Sequence, residues 1–189
     1  MLELLGVFSA FGLSASAGLN AYIPLLIVAL LAKFTNLIEL RQPWDALTSW
    51  WIIGLLVVLS IVEFFADKAT AVNHINDIVQ TFVRPAAGAI AFAASAHVVT
   101  DIHPVLSLVL GLLIAGGVHA TKSVVVRPAV TATTGGAGNI PVSVAEDLTS
   151  TIISILSVVV PVIIACILIL ITSWVIYRLW VRARKTVNS

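Results

Sequence analysis

The sequence predicts an all-α protein that threads a membrane several times. Mean hydropathy is +1.11, and 60% of the 189 residues are hydrophobic while only 10% are charged. Two runs without charge, Leu4 to Ala32 and Leu148 to Tyr177, each exceed the roughly 20 residues a helix needs to cross about 30 Å of hydrocarbon. A water-soluble domain carries far more charge than this. Three shorter apolar stretches, Ala46–Val62, Pro85–Thr100 and Pro104–Val118, lie between the two runs. The expectation is a polytopic helical bundle of five to six membrane segments forming one domain, residues 1–189, with little mass outside the membrane.

The first segment contains "SASAG" (Ser14 to Gly18), an Ala-x-Ala pattern after an apolar run, as at a signal-peptide cleavage site. The stretch before it carries Glu3 and no Lys or Arg, the wrong charge for such a leader, so it is read as the first span. Gly18, Asn20 and Pro24 weaken the helix near its middle. Lys33 and Arg41 follow in the first loop, and Arg178, Arg182, Arg184 and Lys185 form the tail. With five spans these six of the ten basic residues share one side, which the positive-inside rule makes cytoplasmic; six spans move the N-terminus inside. Trp44, Trp50, Trp51, Trp174 and Trp180 fall on that same side, as interfacial anchors do.

After the second apolar stretch the chain reads "EFFADKATAVNHINDIVQTFVR". Glu63, Asp67, Thr70, His74, Asp77, Thr81 and Arg84 recur at intervals of four and three, which on one continuous helix places all seven on a single face. Such a stripe either rests on the headgroups or faces water inside a bundle. Glu63 and Asp67 continue a span, where an ionised carboxylate costs about 2.5–3.5 kcal/mol and is usually paired or functional. Lys68 and Lys122 are their candidate charge balance, and either carboxylate is a candidate coupling group.

Val83-Arg84-Pro85-Ala86 recurs as Val126-Arg127-Pro128-Ala129, and "FADKA" (Phe65 to Ala69) resembles "HATKS" (His119 to Ser123). The lysine precedes its arginine by sixteen residues in the first copy and five in the second. "AGLNAYIP" and "AGNIP" supply a further echo. These matches suggest two related halves, 1–100 and 101–189, arranged as an inverted repeat with broken or re-entrant helices. Proline suits the first turn of a helix, so helices are expected to begin at Pro85 and Pro128. Arg84 and Arg127 then stand at helix N-termini, where dipole and free amides favour an anion; snorkelling to lipid phosphates is the alternative.

"TATTGGAGNIP" (Thr131 to Pro141) cannot hold a helix. It is either an aqueous turn or the break in a discontinuous helix, with Thr134 and Asn139 offering polar contacts. Its echo at Ala15–Pro24 lies in the middle of a charge-free run of 29 residues and favours the second, with Asn20 as the matching group. Glu146 and Asp147 are read as complements to the dipole of the helix that follows.

Several functional classes recede. A net charge of +1 is too small for nucleic-acid binding. The lone Cys166 allows no disulfide within the chain and is read as packing. His74, Asp77, His97, Asp101, His103 and His119 offer metal-binding groups, but no H-E-x-x-H pattern organises them, so no metal, other cofactor or catalytic residue is expected.

The phrases "SASAGLNAYIPLL", "RPAAGA", "HATKSVVVRP" and "TTGGAGNIPVS" together resemble a family of small bacterial membrane proteins known as domain of unknown function 4126, over nearly the whole chain. The resemblance implies a multi-pass protein of the bacterial inner membrane and carries over no catalytic residues.

The leading expectation is a permease or channel-like transporter for a small anionic or polar solute, with proton coupling through Glu63 or Asp67. Asn20, Arg84, Arg127, Thr134 and Asn139 would bind the solute, and Lys68 and Lys122 would balance charge. With so few spans, a homo-oligomer is one way to enclose a path. The alternatives are a non-transporting scaffold that holds lipid headgroups, and a membrane enzyme acting on a lipid phosphate.

Overall fold

The computed structural model describes residues 2–68, 73–96 and 102–187. Thr70, His97 and Asp101 lie outside the described residues, as do the side chains of His74, Asp77, Cys166, Trp180, Arg182, Arg184 and Lys185. Every regular element among the described residues is a helix: α1 (Leu2–Leu19), α2 (Tyr22–Phe34), a 3-10 turn (Trp44–Thr48), α3 (Trp50–Ala66), α4 (Asn73–Ala96), α5 (Pro104–Thr121), a π turn (Lys122–Val126), α6 (Arg127–Thr134) and α7 (Asn139–Val187).

Local chemistry sets several of these ends. The Ser49 hydroxyl accepts from the Ile52 amide and starts α3. His103 caps α5, and Pro104 occupies its first turn, where a missing amide costs nothing. Lys33 closes α2 by donating to the Thr48 carbonyl at 2.7 Å while lying 4.4 Å from the Trp50 ring.

Helices α1, α4 and α5 pack on one another, α7 lies against α1 and α2, and α3 lies against α2. Small residues permit this closeness. A Cβ placed on Gly111 of α5 would stand 2.7 Å from the Ala89 Cα of α4, so the two backbones are nearly in contact. Between α1 and α7 the Ser16 hydroxyl donates to the Ser150 carbonyl at 2.7 Å, and Ser150 returns the bond to the Ser16 carbonyl at 3.2 Å.

An apolar core is buried, but so are charges, and large apolar side chains cover the surface, unlike in a water-soluble domain. Trp51, Phe82, Val124 and Leu170 are 69–90% exposed, whereas Asn20, Glu63 and Arg84 are at most 1% exposed. Among the described residues three helices are long and apolar enough to cross a membrane by length and composition: Ile78–Ala96, Pro104–Thr134 and Asn139–Pro161. Gly6–Leu19, Tyr22–Phe34 and Trp50–Ala66 are shorter apolar helices.

Three local expectations change. No helix begins at Pro85, which lies inside α4, so Arg84 has no N-terminal amides beside it. At Pro128 the chain arrives already helical: the Arg127 amide donates five residues back to the Lys122 carbonyl, and this π turn absorbs the amide that proline lacks. The polar stripe is also divided, because α3 ends at Ala66 and α4 starts at Asn73, so Glu63 and Arg84 face each other from different helices.

The third concerns Thr131–Pro141, of which only Gly135–Gly138 form a turn: Thr131–Thr134 end α6 and Asn139–Pro141 begin α7. Gly135 closes α6 at φ 62° and Gly136 follows at φ 93°, a left-handed path that glycine alone takes without strain. Thr134 bonds within the turn, donating to the Val130 carbonyl at 2.6 Å and accepting from the Gly138 amide at 3.0 Å. Asn139 bonds Thr131 through both its oxygen and its nitrogen. The segment thus satisfies its own polar groups, and neither residue reaches Asn20.

A candidate charge network at a broken helix

The interruption expected near Asn20 is present, and two backbone groups at it, the Ala21 amide and the Leu19 carbonyl, are met by side chains from elsewhere in the chain. The Asn20 side-chain oxygen accepts from the Tyr22 and Ile23 amides at 3.2 and 3.1 Å, starting α2, with Pro24 in the first turn. The Ala21 amide donates to the Glu63 carboxylate at 3.1 Å. On the other side of the break, Lys122 donates to the Leu19 carbonyl at 3.2 Å. An acid therefore sits at the positive start of α2 and a base at the negative end of α1, as the helix dipoles require.

From the break the charges extend as a continuous network. Glu63 accepts from Arg84 at 2.9 and 3.2 Å, and both side chains are fully buried. Arg84 also reaches the Asp67 carboxylate at 3.2 Å. The same oxygen of Asp67, Oδ2, lies 3.3 Å from Arg127 and 3.6 Å from Lys122. Its other oxygen accepts from Asn76 at 2.5 Å, and the Ser143 hydroxyl stands 3.5 Å from Oδ2. Lys122 continues to Glu146 at 2.7 Å. Asp147 joins Lys68 at 3.0 Å to Asn20 at 3.0 Å and so returns the network to the break.

His119 is part of the same assembly. Its Nδ1 lies 3.3 Å from Arg84 Nη1, which can only donate, so Nδ1 accepts and the ring proton resides on Nε2, 3.3 Å from the Thr81 hydroxyl. The π turn gives the network its shape. Residues five apart stack on one side of a π turn, so Lys122 and Arg127 both reach Asp67, which a regular α-helix would prevent.

Three bases (Arg84, Lys122, Arg127) and three acids (Glu63, Asp67, Glu146) thereby form one chain of ion pairs, and the Lys68–Asp147 pair joins them through Asn20, so four bases and four acids balance around the break. One edge is approachable: Lys122 and Glu146 line an open groove of about 680 Å³ whose walls include Leu19, Val118, Val126 and Val142. Among the described residues no group of three His, Cys, Asp or Glu side chains is placed to hold a metal.

Of the residues singled out in the sequence, the structure brings together Asn20, Glu63, Asp67, Lys68, Arg84, Lys122 and Arg127, and leaves Thr134 and Asn139 at the two helix ends that flank the surface turn. Sequence reasoning missed Glu146 and Asp147 as partners, and His119, Asn76 and Ser143 as supports. Charge counting was the available signal. Six of the ten basic residues belong to the first loop and the tail, and the remaining four need four acids, of which Glu63 and Asp67 supply two.

The family model described as a domain of unknown function (DUF4126) matches residues 7–182, and the chain belongs to that family. No curated protein and no solved structure matches it.

Proposed function

We propose that this member of the family is an inner-membrane permease for a small anionic or polar solute, with the charge network at the α1–α2 break as its solute and coupling site. The arrangement of spans that fits the charges is five crossings: α1–α2 as one interrupted crossing, then α3, α4, α5 with α6, and α7. The basic tail is then cytoplasmic. The two copies of the Val-Arg-Pro-Ala phrase are consistent with two related halves, each lending a lysine and an arginine to the one site.

One observation carries the proposal: five buried charges, Glu63, Asp67, Arg84, Lys122 and Asp147, converge with the half-buried Lys68, Arg127 and Glu146 on a break in an apolar helix. Buried ion pairs contribute little to stability compared with apolar packing of the same volume, so a network of this extent is retained for what it does. Unwound backbone faced by ionisable groups is the usual form of a transport site.

The test is flux. Purified protein in sealed vesicles holding a pH-sensitive dye should let a gradient of a small anion drive proton movement, and Asp67→Asn or Glu63→Gln should abolish the pH dependence of uptake. Vesicles with native protein no leakier to anions or protons than empty ones would remove the permease function. Binding of a lipid headgroup without transport is favoured by one feature, the apolar groove ending on Lys122. It predicts co-purifying lipid that Lys122→Met releases, with no flux.

A further inference from the structure

The oxygen Oδ2 of Asp67 is where the network converges. Arg84, Lys122 and Arg127 all stand within 3.6 Å of it, and the Ser143 hydroxyl reaches it too. Three cations and a hydroxyl around a single oxygen make an oxyanion site, and the chain itself supplies the anion. The remaining charges leave no surplus to replace Asp67: Glu63 is bound to Arg84 and the Ala21 amide, Glu146 to Lys122, and Asp147 to Lys68 and Asn20.

We infer that Asp67 is a built-in stand-in for the solute's own oxyanion, and that the site takes up one small monoanion, a carboxylate or a tetrahedral oxyanion, together with one proton. This rests on the network being the solute site. With Asp67 ionised the four bases and four acids cancel. Protonating Asp67 leaves one uncompensated positive charge among Arg84, Lys122 and Arg127, and an incoming anion restores neutrality. The proton is taken from hydronium, whose O–H bond breaks to leave water, and the new O–H bond forms on a carboxylate oxygen of Asp67. Both charges arrive together, so a low-dielectric site never holds an unbalanced ion. The groove beside Lys122 and Glu146 supplies the approach.

Among the described residues, the charged groups around Asp67 that enter this balance are Glu63 on α3, Arg84 on α4 with His119 of α5 behind it, Lys122 in the π turn, Arg127 on α6, and Glu146 on α7. Lys68 and Asp147 pair beside them. His119 takes no part in the exchange, because its Nδ1 accepts from Arg84 and a second proton there would face a guanidinium.

The experiment is calorimetric titration of the full chain in detergent with methanesulfonate and, separately, acetate, at about pH 6 and about pH 8, where neither probe titrates. Native protein should bind more tightly at the lower pH, by about tenfold per pH unit, and take up one proton per anion as judged from buffers of different ionisation enthalpy. Asp67→Asn should bind at either pH with equal affinity, and adding Arg127→Gln should weaken that binding. Proton uptake by native protein needs no variant, so misfolding of Asp67→Asn would not shield the inference. Absence of binding, or binding without proton uptake, overturns it. Proton-linked binding without flux in vesicles would uphold it and remove the permease function, whereas flux without proton-linked binding would do the reverse.

Discussion

Arg84 is the residue on which the network's stability turns, because it is completely buried and bonds Glu63, Asp67 and His119 at once. Arg84→Gln strands two buried carboxylates and should lower stability by about 3–5 kcal/mol, read as a fall in melting temperature in detergent. Arg127→Gln should cost less, since its side chain is 12% exposed and its charge is partly solvated. Equal losses for both variants would contradict the ranking. At Asn20 a single side chain caps α2 and holds Asp147, so Asn20→Ala should cost about 1–2 kcal/mol as a cap loss, with more from the stranded Asp147. A melting temperature unchanged by that substitution would mean the cap is not formed. Singly, most of these residues stood out in the sequence as charges in apolar surroundings. Their partners did not, since pairing is set by tertiary placement, which residue spacing along one helix does not encode.

Two irregular elements do what regular helices could not. The break between α1 and α2 turns backbone groups toward the charges, and the π turn aligns Lys122 with Arg127. Removing Val125 should leave Lys122 and Arg127 four residues apart, still on one face of an α-helix, whereas an alanine inserted after Val125 should swing Arg127 away from Asp67. The insertion variant should keep its helical circular-dichroism signal and lose anion binding; retained binding would show that the turn does not set the site. Asn20, with Pro24 after it, made the break legible. The π turn was not legible, because proline was expected to start a helix and nothing in "KSVVVRP" distinguishes a start from a widened turn. The glycine-rich stretch was legible as irregular, but its place was not. A left-handed close at Gly135 lets the chain reverse on the surface, with Thr131, Thr134 and Asn139 consumed by its own turn.

On the scale of the molecule, apolar composition was enough to foresee an all-helical chain with oily flanks and a polar interior. Composition left the number of crossings and the alignment of two halves open, because helix lengths here range from 8 residues in α6 to 49 in α7. The repeated lysine and arginine phrases find a physical role in the folded chain, where both copies send their cations to one cluster. The central claim is that this cluster surrounds the α1–α2 break and that α7 closes it. Cross-linking in native membranes tests it most directly, using pairs of introduced cysteines in a chain with Cys166 replaced by Ala. Asn20→Cys with Asp147→Cys, and Ser16→Cys with Ser150→Cys as a pair away from the charges, should form disulfides readily, while Asn20→Cys with Asn139→Cys should not. Cross-linking of 20 to 139 in place of 20 to 147, with 16 and 150 unlinked, would contradict the account.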